Sequence, residues 1–217
     1  SGRIGHVMLP GMIEEDGDRP VDMLPKMDVL DYWTALRPDL PGVQALCTQV
    51  TSFHSETALR GRLTDLNAVG FDGVIFPDAP LEEAGPLAHA AAGRGLTTSL
   101  LVAPTTPVER AKQICDECTG FVYVLARAGI TGESGGGPTR AIRERIKALR
   151  SGTHLPLAVG FGIGSPEHVR TVVSPEAGDG DAGGVGTALV RRMTDAGPGN
   201  AANAAAAFCS ELASGLV

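Results

Sequence analysis

The sequence predicts an α/β fold built on a parallel sheet, and three observations carry that prediction. Short apolar runs alternate with segments of helical periodicity along the whole chain. The connections between them are short, as in βαβ units rather than hairpins or bundles. Several runs end in glycine or proline turns that open directly into a helix start.

The elements follow in order. Ile4–Pro10 reads as a short buried strand, and 12–20 as a polar, acidic loop. A helix over Asp28–Arg37 carries Val29, Leu30, Trp33 and Leu36 on one stripe. Val43–Val50 is the next strand, and Glu56–Val69 an amphipathic helix through Leu59, Leu63 and Leu66, stopped by Gly70. Gly73–Phe76 is a strand, Pro86–Ala92 a helix with its proline near the start, and Thr98–Val102 a strand. Thr106 is the expected N-cap of a helix holding Cys115 and Cys118, which share its apolar face. Core packing explains that spacing better than zinc or redox chemistry, because no second cysteine pair accompanies it. Phe121–Ala126, the run from Leu155 and a glycine-rich segment near Gly183–Gly186 complete the strands. Helices around Ile142–Leu149, after Ser165, over Ala188–Met193 and over Ala201–Leu216 complete the alternation.

That is seven strands. A closed (β/α)8 barrel needs eight and typically about 250 residues, while a doubly wound open sheet accommodates seven. No G-x-G-x-x-G follows the first strand, which weighs against a dinucleotide-binding version of the open sheet.

With 217 residues, 43% hydrophobic and 20% charged, the chain suits one sizeable core, so 1–217 is read as a single domain. A net charge of −7 argues against nucleic-acid or anionic-membrane partners. No run approaches the ~20 apolar residues of a membrane span and no basic-then-apolar leader is visible. The cysteine usage suits a reducing, cytoplasmic setting.

In so acidic a chain a phosphate must be held by backbone N–H groups. Leu155–Glu167 is suited to that: an apolar run, glycines at 160, 162 and 164, Ser165 as N-cap, Pro166 at the first helical position, then Glu167. An ordinary strand-to-helix connection has the same pattern. A second glycine turn, Gly183–Thr187, at the end of the next strand tips the balance toward an anion site. The glycine-rich stretch 127–137 reads as a lid-type loop. Proton-transfer candidates are His6, Glu14, Glu15, Asp16, Asp18 and Asp78, the last held between two prolines at a strand end. His54, His89, His154 and His168 show no mutual metal-ligand spacing, so no metal is expected.

Taken together, Gly73–Glu83, Leu101–Pro107, Gly120–Tyr123, Arg127–Gly132, Leu155–Glu167 and Gly186–Val190 resemble the tryptophan synthase alpha chain family over about residues 43–217. The resemblance implies a TIM-type (β/α)8 barrel, here incomplete at the N-terminal end. It implies retro-aldol cleavage of indole-3-glycerol phosphate to indole and glyceraldehyde 3-phosphate, without metal or organic cofactor. It also implies that Gly132, Phe161, Gly162, Gly186 and Thr187 surround the phosphate. Asp78, Tyr123 and Thr131 would line or close the substrate pocket. At the front the chain departs from the family. In one register His6 stands where the catalytic glutamate is expected and Asp16-Gly17 falls one residue early for the catalytic Asp-Gly, while in another Ile4–Gly11 is the family's first strand and the second is deleted. About one βα unit is absent, and Thr48–Thr51 replaces the usual Thr-Tyr-Tyr-Asn.

Three functions follow as expectations. The first is a lyase on a phosphorylated aryl substrate, with His6 as acid/base and Asp16 orienting its ring. The second is a diverged paralogue with other chemistry on a retained phosphate handle, and the third a non-catalytic phosphate-ligand binder. The missing unit predicts that the gap is closed by a homodimer, by the acidic loop, or not at all. The altered loop near the front argues against partnership with a tryptophan synthase beta chain.

Overall fold

The computed structural model of the protein describes residues 6–10, 44–48, 56–125, 140–160, 162–173, 180–197 and 199–216. Among them are seven strands: β1 (His6–Pro10), β2 (Gln44–Thr48), β3 (Gly73–Phe76), β4 (Thr97–Val102), β5 (Val122–Leu125), β6 (Leu157–Gly160) and β7 (Ala182–Gly184). The helices are α1 (Glu56–Ala68), α2 (Leu81–Ala92), α3 (Val108–Glu117), α4 (Arg140–Arg150), α5 (Pro166–Val173), α6 (Thr187–Ala196) and α7 (Ala201–Ala213). All strand pairs are parallel, and strand order follows chain order, as the βαβ reading requires.

The chain divides into two compact units. The first is Ser1–Leu100 with Glu117–Gly120, and the second is Leu101–Asp116 with Phe121–Val217. In the first, β1 pairs β2 with His6 opposite Gln44, β2 pairs β3, and β3 pairs β4 with Gly73 opposite Thr97. All of β3 is buried, as a continuous apolar run in a parallel sheet should be. Leu59, Leu63 and Leu66 of α1 are buried along their predicted stripe. The backbone of β4 is tied to the segment that follows α3: Leu100 N–H donates to Cys118 Sγ at 3.3 Å and Thr98 N–H to Thr119 Oγ1 at 2.8 Å.

In the second unit, β4 pairs β5 through Leu101 and Tyr123, β5 pairs β6, and β6 pairs β7 with Val159 opposite Gly183. Val122, Val124, Leu157, Val159, Ile146 and Leu149 are fully buried and form its core. Cys115 belongs to this core, and burial, with Asp116 second, pushes its thiol up to about 11, so it is inert packing.

Asp181 fixes the starts of β6 and β7. Its Oδ2 accepts the Leu157 N–H at 2.8 Å and meets the Arg150 guanidinium, whose Nη1 donates to Leu155 O at 3.0 Å. Conserving strand register at this N-terminal end is a stability task, distant from the strand ends where barrels do chemistry.

Local expectations were corrected in three places. Helix α2 begins at Leu81, so Pro86 lies inside it rather than near its start. Proline removes one helical hydrogen bond there, which is offset by Glu82 and Glu83 in the first turn and by burial of Ala84, Ala90 and Ala91. Thr106 does not cap α3. Its Oγ1 accepts the Ala103 N–H at 3.2 Å within the preceding turn, and Pro107 O accepts the Ala111 N–H at 2.9 Å instead. The last helix stops at Ala213 and finishes as a 3-10 turn, Ser214–Leu216. The acidic loop 12–20, the helix predicted at 28–37 and the loop 127–137 lie outside the described residues.

Replacing Asp181 by Ala removes one buried-end backbone acceptor and a partly exposed ion pair. Urea unfolding should show a loss of about 1–2 kcal/mol, most of it from the Leu157 hydrogen bond because the pair is screened. An unchanged midpoint would show that Asp181 does not hold the two strand starts.

Candidate functional site

The ends of β6 and β7 meet Tyr123 of β5. A Cβ on Gly160 would overlap the Tyr123 ring and hydroxyl, and one on Gly184 would lie 3.3 Å from the hydroxyl oxygen. The tyrosine therefore demands glycine at the end of β6 and crowds a side chain at the end of β7. Tyr123 itself is half-buried, packs on Phe121 at 6.3 Å between ring centroids, and has its phenol pKa raised by desolvation.

Beyond these strands the chain makes two helix starts with different properties. Gly162 adopts φ 88°, the left-handed conformation that a glycine tolerates and a side chain resists, and turns the chain toward α5. The α5 end is closed by its own side chains. Ser165 Oγ accepts the His168 N–H at 3.3 Å, Ser165 O accepts the Val169 N–H at 3.1 Å, and Gly164 N–H donates to His168 Nδ1 at 3.3 Å. The Glu167 carboxyl is held below its usual pKa first by its own backbone N–H and then by Ser165. A depressed folded pKa means that this stabilisation is present above the ordinary carboxylate range and lost on acidification.

The α6 end is different. Its N-cap is Gly186, which has no side chain to cap the first N–H groups of the helix. Of the two helix starts, the one at Ser165, which the sequence makes most conspicuous, is closed by its own side chains, whereas the one at Gly186 has no side-chain cap.

Of the residues predicted from sequence, Tyr123, Gly162, Gly186 and Thr187 all lie in the second unit, at or just past strand ends. Asp78 lies in the first unit, exposed just past the end of β3. His6 is the first residue of β1 and so sits at that strand's N-terminal end. Asp16, Thr131, Gly132 and Phe161 fall outside the described residues. Gly160 and Gly184 belong to the two glycine turns read from the sequence, but their contact with Tyr123 was not foreseen, and nothing in the sequence marks His168. Among the described residues, no group of three or more His, Cys, Asp or Glu is placed to hold a metal. No described helix is long and apolar enough to cross a membrane.

A cleft of about 320 Å³ between α3 and α4, lined by Pro104, Val108, Ile142 and Arg145, contains none of these residues. Arg145 there donates to Ala103 O at 3.2 Å and to Thr106 O, strapping the turn before α3.

Comparison with known proteins gives the family. The chain is 37% identical over 208 residues to the tryptophan synthase alpha chain of Thermosynechococcus vestitus, covering 92% of this chain and 76% of that one. This chain belongs to the tryptophan synthase alpha chain family. It is also 40% identical over 154 residues to the Rippkaea orientalis alpha chain, covering 71% of this chain and 56% of the relative. Against several such curated relatives, then, the matched part spans about half their length. A solved structure of a mutant tryptophan synthase alpha-subunit from Pyrococcus furiosus superimposes with a TM-score of 0.72 at 27% identity, covering 84% of this chain and 71% of that one. The fold is accordingly the family's α/β, (β/α)8-barrel type. Separately, the family model for mycobacterial methylenetetrahydrofolate reductase matches residues 1–98.

Gly160→Ala should lower stability by about 1–3 kcal/mol through overpacking on Tyr123. Combining it with Tyr123→Ala should cost less than the sum of the two single changes, with a coupling of about 1 kcal/mol or more by denaturant unfolding. Strict additivity would mean that the tyrosine does not set the glycine requirement.

Proposed function

We propose that the protein binds a phosphorylated small molecule at the ends of β6 and β7 and acts on it as a lyase of the alpha-chain type. The substrate would be indole-3-glycerol phosphate or a close relative, cleaved to indole and glyceraldehyde 3-phosphate. The observation that carries this reading is the side-chain-free N-terminus of α6 at Gly186-Thr187 beside two strands ending in glycine. In a chain of net charge −7, oriented backbone N–H groups are the means of holding an anion.

In this reading Gly162, Gly186 and Thr187 contribute phosphate contacts, with Phe161 and Gly132 assigned to the same pocket. Tyr123 walls the aryl side, and Asp78 and Thr131 border the substrate. Proton transfer is assigned to His6 with Asp16 orienting the ring. A retro-aldol cleavage needs a base to take the substrate hydroxyl proton and an acid to protonate the departing indole carbon. An imidazole near neutrality serves both steps. The position of His6 at the opening of β1 makes this the part of the assignment that activity measurements test hardest.

The match of residues 1–98 to a methylenetetrahydrofolate reductase family favours a second reading, in which the front of the chain binds a folate and carries different chemistry. Under it, methylenetetrahydrofolate would protect the protein thermally and indole-bearing phosphates would do no better than glycerol phosphate.

Thr187→Glu separates binding from folding. A carboxylate in the first turn favours the α6 dipole and leaves the melting temperature unchanged or raised, while repelling the ligand. Calorimetric affinity for glycerol phosphate should fall about tenfold or more, and indole release with it. His6→Ala and Asp16→Ala should each slow indole release by about 100-fold without altering that affinity. Equal turnover in both variants would remove them from the mechanism, and undiminished affinity in Thr187→Glu would remove the phosphate site.

A further inference from the structure

We infer that His168 is a positioning residue for the phosphate turn, acting through the Gly164 N–H and only while its imidazole is neutral. The inference rests on the phosphate reading above and extends it to how the turn is held and how pH acts on it. The Gly164 N–H donates to His168 Nδ1 at 3.3 Å, and the His168 N–H donates back to Ser165 Oγ at 3.3 Å. These two bonds close the segment from Gly164 to His168 on itself. The chain leaving Gly162 at φ 88° therefore has its far end fixed to the first turn of α5. One N–H is committed in the process. Gly164 is occupied by the imidazole, so the anion is left to the N–H groups of Gly162 and the α6 terminus.

The chemistry of the acceptor gives the device its sign. Neutral imidazole with Nδ1 unprotonated accepts the Gly164 N–H, whereas imidazolium presents an N–H to an N–H and the bond is lost. A cation near a phosphate would by itself tighten binding, so the two effects oppose each other and experiment can tell them apart. The ionisable neighbours on α5 are Glu167 and Arg170. The elements packed on α5 are β7, α7 and the 3-10 turn. Asp181 before β7 is engaged with Arg150, and Arg170 donates to Ser214 O at 3.4 Å in the 3-10 turn. On α7, Cys209 is exposed and Glu211 lies 3.6 Å from Arg192.

The test uses the full chain, with inorganic phosphate and sulfate as probes. At about pH 8, His168→Leu should bind phosphate about fivefold more weakly than the unaltered protein, and His168→Gln, whose amide oxygen can accept the Gly164 N–H, should restore binding to within about twofold. Sulfate keeps its double charge as pH falls from about 8 to about 5.5 across the histidine range, and over that interval its affinity should weaken in the unaltered protein but not in His168→Gln. In the unaltered protein the Gly164 amide resonance should titrate with the His168 midpoint, a readout independent of whether any variant folds. Phosphate binding that is equal in His168→Leu, sulfate binding that tightens on acidification, or a Gly164 amide that ignores the titration overturns the role of His168 while leaving the phosphate site standing. No binding of either anion by the unaltered protein overturns both.

Discussion

Tyr123 fills the volume that a side chain at position 160 would occupy and lies 3.3 Å from where a Cβ at position 184 would sit. A tyrosine on β5 cannot lie there unless β6 ends in glycine, and a side chain at the end of β7 would crowd it. Two strands ending in glycine present backbone, rather than side chains, where a barrel gathers its chemistry. The contact therefore ties together one aromatic wall, two close-approaching strand ends and the turns leading to α5 and α6. It is maintained from the opposite end of the strands by Asp181, which holds Leu157 and Arg150 in place.

Charge explains why backbone is used. A chain with 25 acidic and 18 basic residues has little cationic side-chain capacity to spare for an anion. Helix termini supply fixed partial positive charge at no change in net charge. Of the two termini next to the site, α5 consumes its own N–H groups through Ser165, Glu167 and His168, whereas α6 opens with glycine and keeps them available. The two helix starts differ because one carries its own capping groups and the other opens with a glycine.

The fold was legible because buried parallel strands leave unambiguous apolar runs: Gly73–Phe76 and the stripe Leu59, Leu63, Leu66 could be read from spacing alone. Misreadings occurred where local chemistry has two uses. Pro86 reads as a helix start and is an interior proline, because tertiary burial of alanines outweighs one lost hydrogen bond. Thr106 reads as an N-cap and instead ties off the turn before the helix. At the site, the strand-end glycines were visible, but the reason for them, a tyrosine in the preceding strand, is a contact between elements that no spacing encodes. His168 was invisible for the same reason: a single histidine on a helix face acquires meaning only when the Gly164 N–H is seen to reach it. The front of the chain, which holds His6 and Asp16, is also matched by a second family model over residues 1–98.

The central claim is that the anion is held by backbone N–H groups where β6 and β7 end, and the most direct measurement is an amide NMR titration with inorganic phosphate. The account predicts saturable shifts concentrated at Gly162, Gly186, Thr187 and Ala188, with the Ser165 and Val169 amides moving far less. Shifts confined to the first unit, or spread along basic side chains without saturation, would contradict it.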